Sequence, residues 1–228
     1  MDLNKSDGKP IHLTKMKPLD KEKVNKRYIY YFTSRIVDII GGTIGLIFLS
    51  PLFLIVAIMI KREEPNGTIF YSQIRVGKNG EKFKMYKFRS MCMNADEQLV
   101  QLLDQNEVEG AMFKMKDDPR VTKIGKTIRR TSIDELPQFW NVLRGEMSLV
   151  GPRPPLLREV SSYTAYDRQR LLVKPGCTGA WQISGRNDVG FDEMVQLDLE
   201  YIDKLSIWND IKILLKTVGV FLKPNNAY

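Results

Sequence analysis

Histidine is nearly missing from this chain: the single one, His12, lies in a polar N-terminal stretch, and the only two cysteines, Cys92 and Cys177, are far apart. Those shortages exclude much chemistry. No Ser-His-Asp or Cys-His triad and no Cys/His zinc site can be assembled from them. Two unpatterned cysteines give no disulfide framework either, which fits a cytoplasmic catalytic face, and each reads as a buried small hydrophobe. Any chemistry must therefore use carboxylates, Lys/Arg and a hard cation such as Mg2+. Internal repeats and a dinucleotide fingerprint are absent as well. Gly125-Lys126-Thr127 resembles the end of a phosphate-binding loop, but the position that needs the motif's first glycine is Arg120.

What the chain does have is positive charge and one long apolar run. Its 228 residues suffice for one full domain with a real core, and a formal charge of +8 with a pI near 9.4 favours anionic partners: phospholipid, nucleic acid or a phosphorylated substrate. Residues 1 to 35 carry nine Lys/Arg against four Asp/Glu, and 1–27 read as a basic, mobile tail able to lie along anionic headgroups. The order of a cleavable signal peptide is lacking, because the apolar run starts too late and no small-residue cleavage site follows. From Ile39 to Ile60 no side chain is charged, and as a helix those residues would be about 33 Å long, enough to cross a bilayer. Both flanks are basic, with Lys26, Arg27 and Arg35 before and Lys61, Arg62, Arg75 and Lys78 after, so the positive-inside tendency gives no direction of crossing. Dipping in and returning to the same face removes that conflict. Pro51 cannot donate to the carbonyl of Ile47 and bends the helix near its middle, while the Ser50 hydroxyl can bond a freed carbonyl; an ordinary kinked transmembrane helix satisfies the same residues. Asp38, at the entrance, is expected near the headgroups.

Residues 68 to 76 and 81 to 89 are β-rich and joined through GKNG, where Asn79-Gly80 predicts a β-hairpin. On the second strand Phe83, Met85, Lys87 and Arg89 share a face, so Lys87 extends an apolar face and needs an anion, unless the strand reaches its solvated end there. Asn94 opens a helix with Glu97 at capping-box spacing, and the acid pair Asp96-Glu97 reads as an ordinary helix start. Beyond residue 155 the expectation is one polar-rich helix over 156–171, a turn at KPGCTG, a short strand or loop exposing Arg186, and a helix over 191–204 carrying Asp198 and Tyr201. The last segment places Trp208, Ile211, Leu214, Leu215, Val218 and Leu222 among Lys212, Lys216 and Lys223. That is an amphipathic helix, either at a membrane surface or packed on the domain.

The densest chemistry runs from Lys126 to Pro154. Two adjacent acids, Asp134 and Glu135, follow Arg129 and Arg130, and the stretch closes on the proline-flanked Arg153. Adjacent helical residues point about 100° apart, so one acid can face a substrate while the other faces a metal. Ser132 with Glu135 also fits a capping box, in which case the acids only offset a helix dipole. Pro137 then falls beyond the first turn, which moves the helix start nearer Asp134.

The segments SPLF (50–53), YKFRSM (86–91), DPRVTKIGKTIRRTSIDELPQFWNVLRGEMSLVGPRP (118–154), KPGCTG (174–179), SGRN (184–187) and LDLEY (197–201) occur in this order. Over about residues 28–223 they resemble the bacterial sugar transferase family, the monotopic phosphoglycosyl transferases. The resemblance implies a helix-rich, irregular α/β single domain on the cytoplasmic face of the bacterial inner membrane. It would comprise the basic tail over 1–27, a re-entrant membrane helix-break-helix over 28–62 broken at Ser50 and Pro51, and a cytoplasmic catalytic domain over 63–228 with interfacial helices. The implied reaction moves a hexose 1-phosphate, with galactose or glucose expected, from a UDP-sugar to undecaprenyl phosphate and releases UMP, the first membrane step of exopolysaccharide or capsule assembly. By the same resemblance Asp134 is the nucleophile that carries the sugar phosphate, and Glu135 with Asp134 holds Mg2+. Arg129 and Lys87 would contact phosphate, with Arg153, Arg186 and Asp198 at the nucleotide or metal side. Anionic membrane lipids are expected partners, nucleic acid is not, and a homo-oligomer stays open. Two other readings compete: a non-enzymatic basic membrane-surface protein, which leaves acids among arginines unexplained, and a bitopic transferase of the bare sugar that releases UDP.

Overall fold

The computed structural model describes residues 17–102, 115, 117–184 and 190–222, so His12, Arg186, Lys223 and the tail before Lys17 lie outside the described residues, as does the side chain of Leu222. In order, the elements are α1 (Lys21–Asn25), α2 (Tyr28–Phe48), α3 (Ser50–Glu63), β1 (Phe70–Val76), β2 (Lys82–Phe88), α4 (Ala95–Leu102), α5 (Lys123–Arg130), α6 (Gln138–Arg144), β3 (Ser148–Val150), α7 (Leu157–Ser161), β4 (Gly176–Thr178), α8 (Ala180–Ile183), α9 (Phe191–Asp203) and α10 (Ile207–Leu222). Short 3-10 segments cover Lys78–Gly80, Ile133–Glu135 and Asp167–Leu172.

The end of the expected tail is docked rather than mobile. Asp20 caps α1 by accepting from the Glu22 and Lys23 amides at 3.0 and 3.1 Å, and α1 buries Val24. Arg27 donates to the backbone oxygens of Leu205 and Asp203, each at 2.6 Å. One apolar anchor and one arginine fix a segment whose composition reads as solvated.

One residue, Leu49, separates α2 from α3. Pro51 falls in the first turn of α3, and Ser50 Oγ donates to Ile47 O at 2.8 Å, so the carbonyl that Pro51 cannot serve is satisfied as the sequence predicts. By length and composition α2 could cross a membrane. Its two sides differ. Ile29, Phe32, Ile36, Ile40, Ile44 and Ile47 are exposed along one, whereas Gly41 and Gly42 press the other onto the protein: an added Cβ would meet Leu149 Cδ1 at 2.7 Å and Leu143 Cδ2 at 2.9 Å. Arg35 donates to the last-turn carbonyls of α6, Val142 at 2.6 Å and Leu143 at 2.7 Å, where a cation also offsets the helix dipole. Asp38 is not at a headgroup surface but buried in protein, accepting from Ser148 Oγ at 3.0 Å and the Leu149 amide at 2.8 Å. Those two donors replace the water it gives up. On the far side of the break, α3 packs Val56 and Ile60 against Phe88, Ile124 and Ile128 while Leu54, Ile55, Ile58 and Met59 stay exposed. Both helices therefore lie on the same body.

The hairpin is as expected: β1 and β2 pair antiparallel, and Asn79 (φ 56) and Gly80 (φ 86) take the left-handed conformation the turn requires. Tyr71, Gln73 and Arg75 lie opposite Lys87, Met85 and Phe83, which puts them on the same face as Lys87. A second pair, β3 with β4, runs parallel where only a turn was expected at KPGCTG. Three-residue strands are too short to show a period of two. Between them, one helix over 156–171 gives way to α7 and the 3-10 stretch, because Asp167 accepts from the Thr164 amide and hydroxyl at 2.8 and 2.7 Å and turns the chain. The helical turn α8 stands where a short strand or loop was expected. Of the two readings of α10, packing on the domain is observed: Ile213 is buried and Leu214 packs on the core, while Trp208, Ile211, Leu215 and Val218 form an exposed apolar stripe with Lys212 over the Trp208 ring.

Candidate active site

Helix α5 is capped twice. Thr122 Oγ1 accepts from the Gly125 amide at 2.9 Å, and Glu63, the last residue of α3, accepts from the Lys123 and Ile124 amides at 2.6 and 2.8 Å. Gly125 has to be glycine because a Cβ there would run into the Ser90 carbonyl. Arg129 and Arg130 end the helix. Ser132 then takes a left-handed conformation (φ 54), which costs a non-glycine residue about 1–2 kcal/mol, and the chain turns sharply into the 3-10 segment Ile133–Glu135. The capping box does not form. An N-cap residue needs extended backbone angles, and Ser132 makes no side-chain capping bond from its left-handed ones. The next helix, α6, starts only at Gln138, with Pro137 at its N-cap.

The acids thus sit on a tight turn between two helices, with neighbouring side chains about 120° apart at three residues per turn. Asp134 points inward and is 7% exposed, whereas the Glu135 side chain is 45% exposed. Lys87, at the end of β2, donates to Glu135 Oε1 at 2.7 Å. Burial pushes the Asp134 carboxyl up to about 6; Lys87 and Arg129 pull it down, and the Glu135 charge adds to the rise. Arg129 Nη1 is buried with no hydrogen-bond partner among the described residues. A buried charged donor left this way is ready for an anionic acceptor.

A second group adjoins this one. Arg153 Nη1 contacts both Glu159 oxygens, at 3.1 and 3.3 Å, and Arg170 Nη2 reaches Arg153 O at 3.4 Å. Asp198 is fully buried against Arg170, which donates to Oδ2 from Nε at 2.8 Å, while Asp198 Oδ1 has no partner. Burial raises Asp198 to about 6 against the pull of Arg170 and Arg153. Arg75 lies close to Arg153. It donates to Pro154 O at 3.0 Å and Gln73 Oε1 at 2.8 Å, keeps a buried Nε without a partner, and is pushed down to about 10 by burial and the Arg153 charge. The structure therefore joins Lys87, Arg129, Asp134 and Glu135 directly, sets Arg153 beside Arg75, and places Asp198 behind them through Arg170.

A sequence profile described as bacterial sugar transferase matches residues 29–224. The chain belongs to the bacterial sugar transferase family. Galactosyl transferase CpsE of Streptococcus agalactiae is 50% identical over 88% of this chain and 44% of its own length. The UDP-glucose:undecaprenyl-phosphate glucose-1-phosphate transferase of Escherichia coli is 41% identical over 81% of this chain and 39% of its own. Exopolysaccharide production protein ExoY of Sinorhizobium fredii is 41% identical over 86% of this chain and 88% of its own. The chain thus spans less than half of the first two relatives and most of the third.

Among its described residues no three His, Cys, Asp or Glu side chains cluster as a protein-made metal cage. Asp134 and Glu135 are two hard oxygen donors, of the type that could hold Mg2+ together with waters and substrate phosphates. Three residues of this candidate site went unread in the sequence: Arg75, Glu159 and Arg170. Arg75 counts there only as a basic flank of the apolar run, yet it is 8% exposed. Extending the hairpin register from Lys87 would have put it on the same face. Glu159 and Arg170 fall in a polar-rich stretch that gives no sign of burial.

Proposed function

We propose that this sugar transferase moves a hexose 1-phosphate from a UDP-sugar to undecaprenyl phosphate, releasing UMP, through a covalent aspartyl intermediate. The observation that carries this reading is a buried carboxylate, Asp134, turned inward between Lys87 and Arg129 on a body with exposed apolar helices. In the first step an Asp134 carboxylate oxygen bonds to the sugar-bearing phosphorus, and the phosphorus–oxygen bond to UMP breaks, UMP leaving with the electron pair. In the second, an oxygen of undecaprenyl phosphate bonds to that phosphorus and the aspartyl oxygen leaves, which restores Asp134. Two displacements spare two anionic substrates from having to meet.

Partial desolvation makes ionised Asp134 a better nucleophile than a solvated carboxylate, and Lys87 and Arg129 offset the charge on the phosphoryl oxygens. Glu135, with Asp134, would hold Mg2+ on the diphosphate, and the ion supplies further charge neutralisation there. Arg153 and Arg186 take the nucleotide side. Asp198 acts at one remove, by holding Arg170 against the Arg153 backbone.

The pair α2 and α3 is read as re-entrant. Gly41 and Gly42 before the break and Val56 and Ile60 after it all pack on one polar body, which supports a dip into the cytoplasmic leaflet better than a crossing. Galactose and glucose remain the expected sugars. The test is to give the full chain undecaprenyl phosphate and a panel of UDP-sugars and to follow UMP and UDP separately: UMP is expected, and release of UDP instead would refute sugar-phosphate transfer.

A further inference from the structure

A cavity of about 140 Å³ lies between the start of α2, the hairpin turn and the residues leading into β4. Neither Asp134 nor Glu135 lines it. Its walls include Tyr31 and Arg35 from α2, Lys78 from the turn, Ser148 from β3, and Lys174. At roughly 30 Å³ per water molecule it has room for several waters or for one tetrahedral anion.

Its charge is lopsided. Lys174 Nζ and Arg35 Cζ both lie within 3.5 Å of the point where a Cβ on Gly145 would sit, so the two cations are within about 7 Å of each other. Lys78 Nζ is held 4.7 Å from the centre of the Tyr31 ring. Burial, then the Arg35 charge, lower Lys174 from its ordinary value; Asp38 opposes this, and Lys78 adds a smaller push in the same direction as Arg35. The one acid on the wall, Asp38, is already committed to Ser148 Oγ and the Leu149 amide. Neither Lys78 nor Lys174 has a carboxylate within ion-pair distance among the described residues.

Position decides what kind of anion enters. The first turns of α2 that turn Tyr31 and Arg35 inward expose Ile29, Phe32 and Ile36 outward, and α10 exposes Ile211 beside Ser34, Asp38 and Ser148 of the cavity wall. A ligand with a phosphate in the cavity and chains along those stripes satisfies both surfaces. We propose that this cavity binds the phosphodiester headgroup of an anionic bilayer phospholipid, as a structural lipid site separate from the Asp134 centre. The assignment rests on the membrane seating proposed above.

The test is native mass spectrometry of the full chain in detergent with mixed phosphatidylglycerol and phosphatidylcholine. One retained phosphatidylglycerol per wild-type chain is expected. It should be lost in Lys78→Gln/Lys174→Gln, kept in Lys174→Arg, and kept in Lys212→Gln/Lys216→Gln, which removes the same charge from the exposed side of α10. At about fivefold per cation, the cavity pair should weaken binding roughly 30-fold. No adduct, or equal retention in the two glutamine pairs, overturns the site. So does displacement by inorganic phosphate at constant ionic strength, which would assign the cavity to a free anion. Preferential retention of undecaprenyl phosphate, lost in the cavity pair, would give the cavity to the acceptor and also overturn it. UMP release measured in parallel separates the two readings: a wild type that releases UMP without retaining lipid overturns this site alone, and one that retains lipid but releases no UMP supports it while refuting the reaction.

Discussion

Replacing Asp134 by asparagine should abolish the reaction and make the folded protein more stable. Burial holds this carboxyl at about 6 instead of 3.8, so the folded protein binds the proton more tightly than the unfolded chain does. For a raised pKa the associated stabilisation is complete below the unfolded value, near pH 4, and is lost as pH rises through about 6. Above that, the native state carries an ionised group it disfavours by about two pKa units, on the order of 3 kcal/mol at 1.36 kcal/mol per unit. Asparagine keeps the shape without the charge. With EDTA present, Asp134→Asn should therefore raise Tm at pH 8 by several degrees, at about 2–4 °C per kcal/mol for a chain of this size, and leave it nearly unchanged at pH 4. Circular dichroism melts of both proteins at the two pH values supply the measurement. The same two proteins, given UDP-hexose without lipid acceptor, should differ completely: up to one equivalent of UMP per wild-type chain, with a mass gain of one hexose phosphate on the Asp134 peptide, and none from the variant. A variant less stable at pH 8, or equally stabilised at both pH values, would refute the desolvation argument. UMP that forms only with acceptor, with intersecting initial-rate lines, would refute the covalent role.

Glu135→Gln should lose most turnover while remaining folded, and EDTA should abolish wild-type activity until Mg2+ is restored; full activity in metal-free buffer contradicts the assignment. Arg75→Gln should raise KM for the UDP-sugar tenfold or more, the scale of one lost hydrogen bond to a charged group, and an unchanged KM would confine Arg75 to holding Pro154. In a background without Cys92 and Cys177, single cysteines at residues 5 and 80 should both resist an impermeant reagent in intact cells. Labelling of one alone would establish a spanning helix.

How much of this could be read in advance depended on the length of the pattern. The apolar run with Ser50-Pro51, the Asn79-Gly80 hairpin and the helix carrying Asp198 each extend over enough residues for periodicity and turn chemistry to agree. Lys87 stands out as a charge on an apolar strand face and Asp134-Glu135 as acids beside arginines, but the roles given to them and to Arg129 rest on the family resemblance. The parallel pair β3–β4 was not, since each strand has three residues and its partner is distant in sequence. The capping-box alternative at Ser132 fails for a different reason: Ser-x-x-Glu spacing specifies side chains, and the left-handed backbone that defeats the box comes from the sharp turn between α5 and α6. Asp38 and Arg75 show the same limit. Both were placed by their distance from the apolar run, and both are buried by partners supplied from β3 and from the Pro154 carbonyl.

The apolar helices α2 and α3 and the buried Asp134, the proposed nucleophile, form one mechanical unit. From the break at Leu49, α3 rises 1.5 Å per residue, about 20 Å over its length, and ends on Glu63, which caps α5 through two backbone amides. Along the way Val56 and Ile60 pack on Ile124 and Ile128, the inner face of α5. The same α5 delivers Arg129 and hands the chain to the turn that buries Asp134. The distance from break to catalytic turn is therefore set by the length of one rigid helix. Moving the proline by one residue would rotate α3 by about 100° against the break, turning Val56 and Ile60 off Ile124 and swinging Glu63 away from the α5 amides. A lipid-borne phosphate is fixed in depth by its hydrocarbon tail. A nucleophile that must meet it needs its own depth fixed as firmly, and the path from Leu49 through Glu63 to Asp134 does this without passing through a flexible loop.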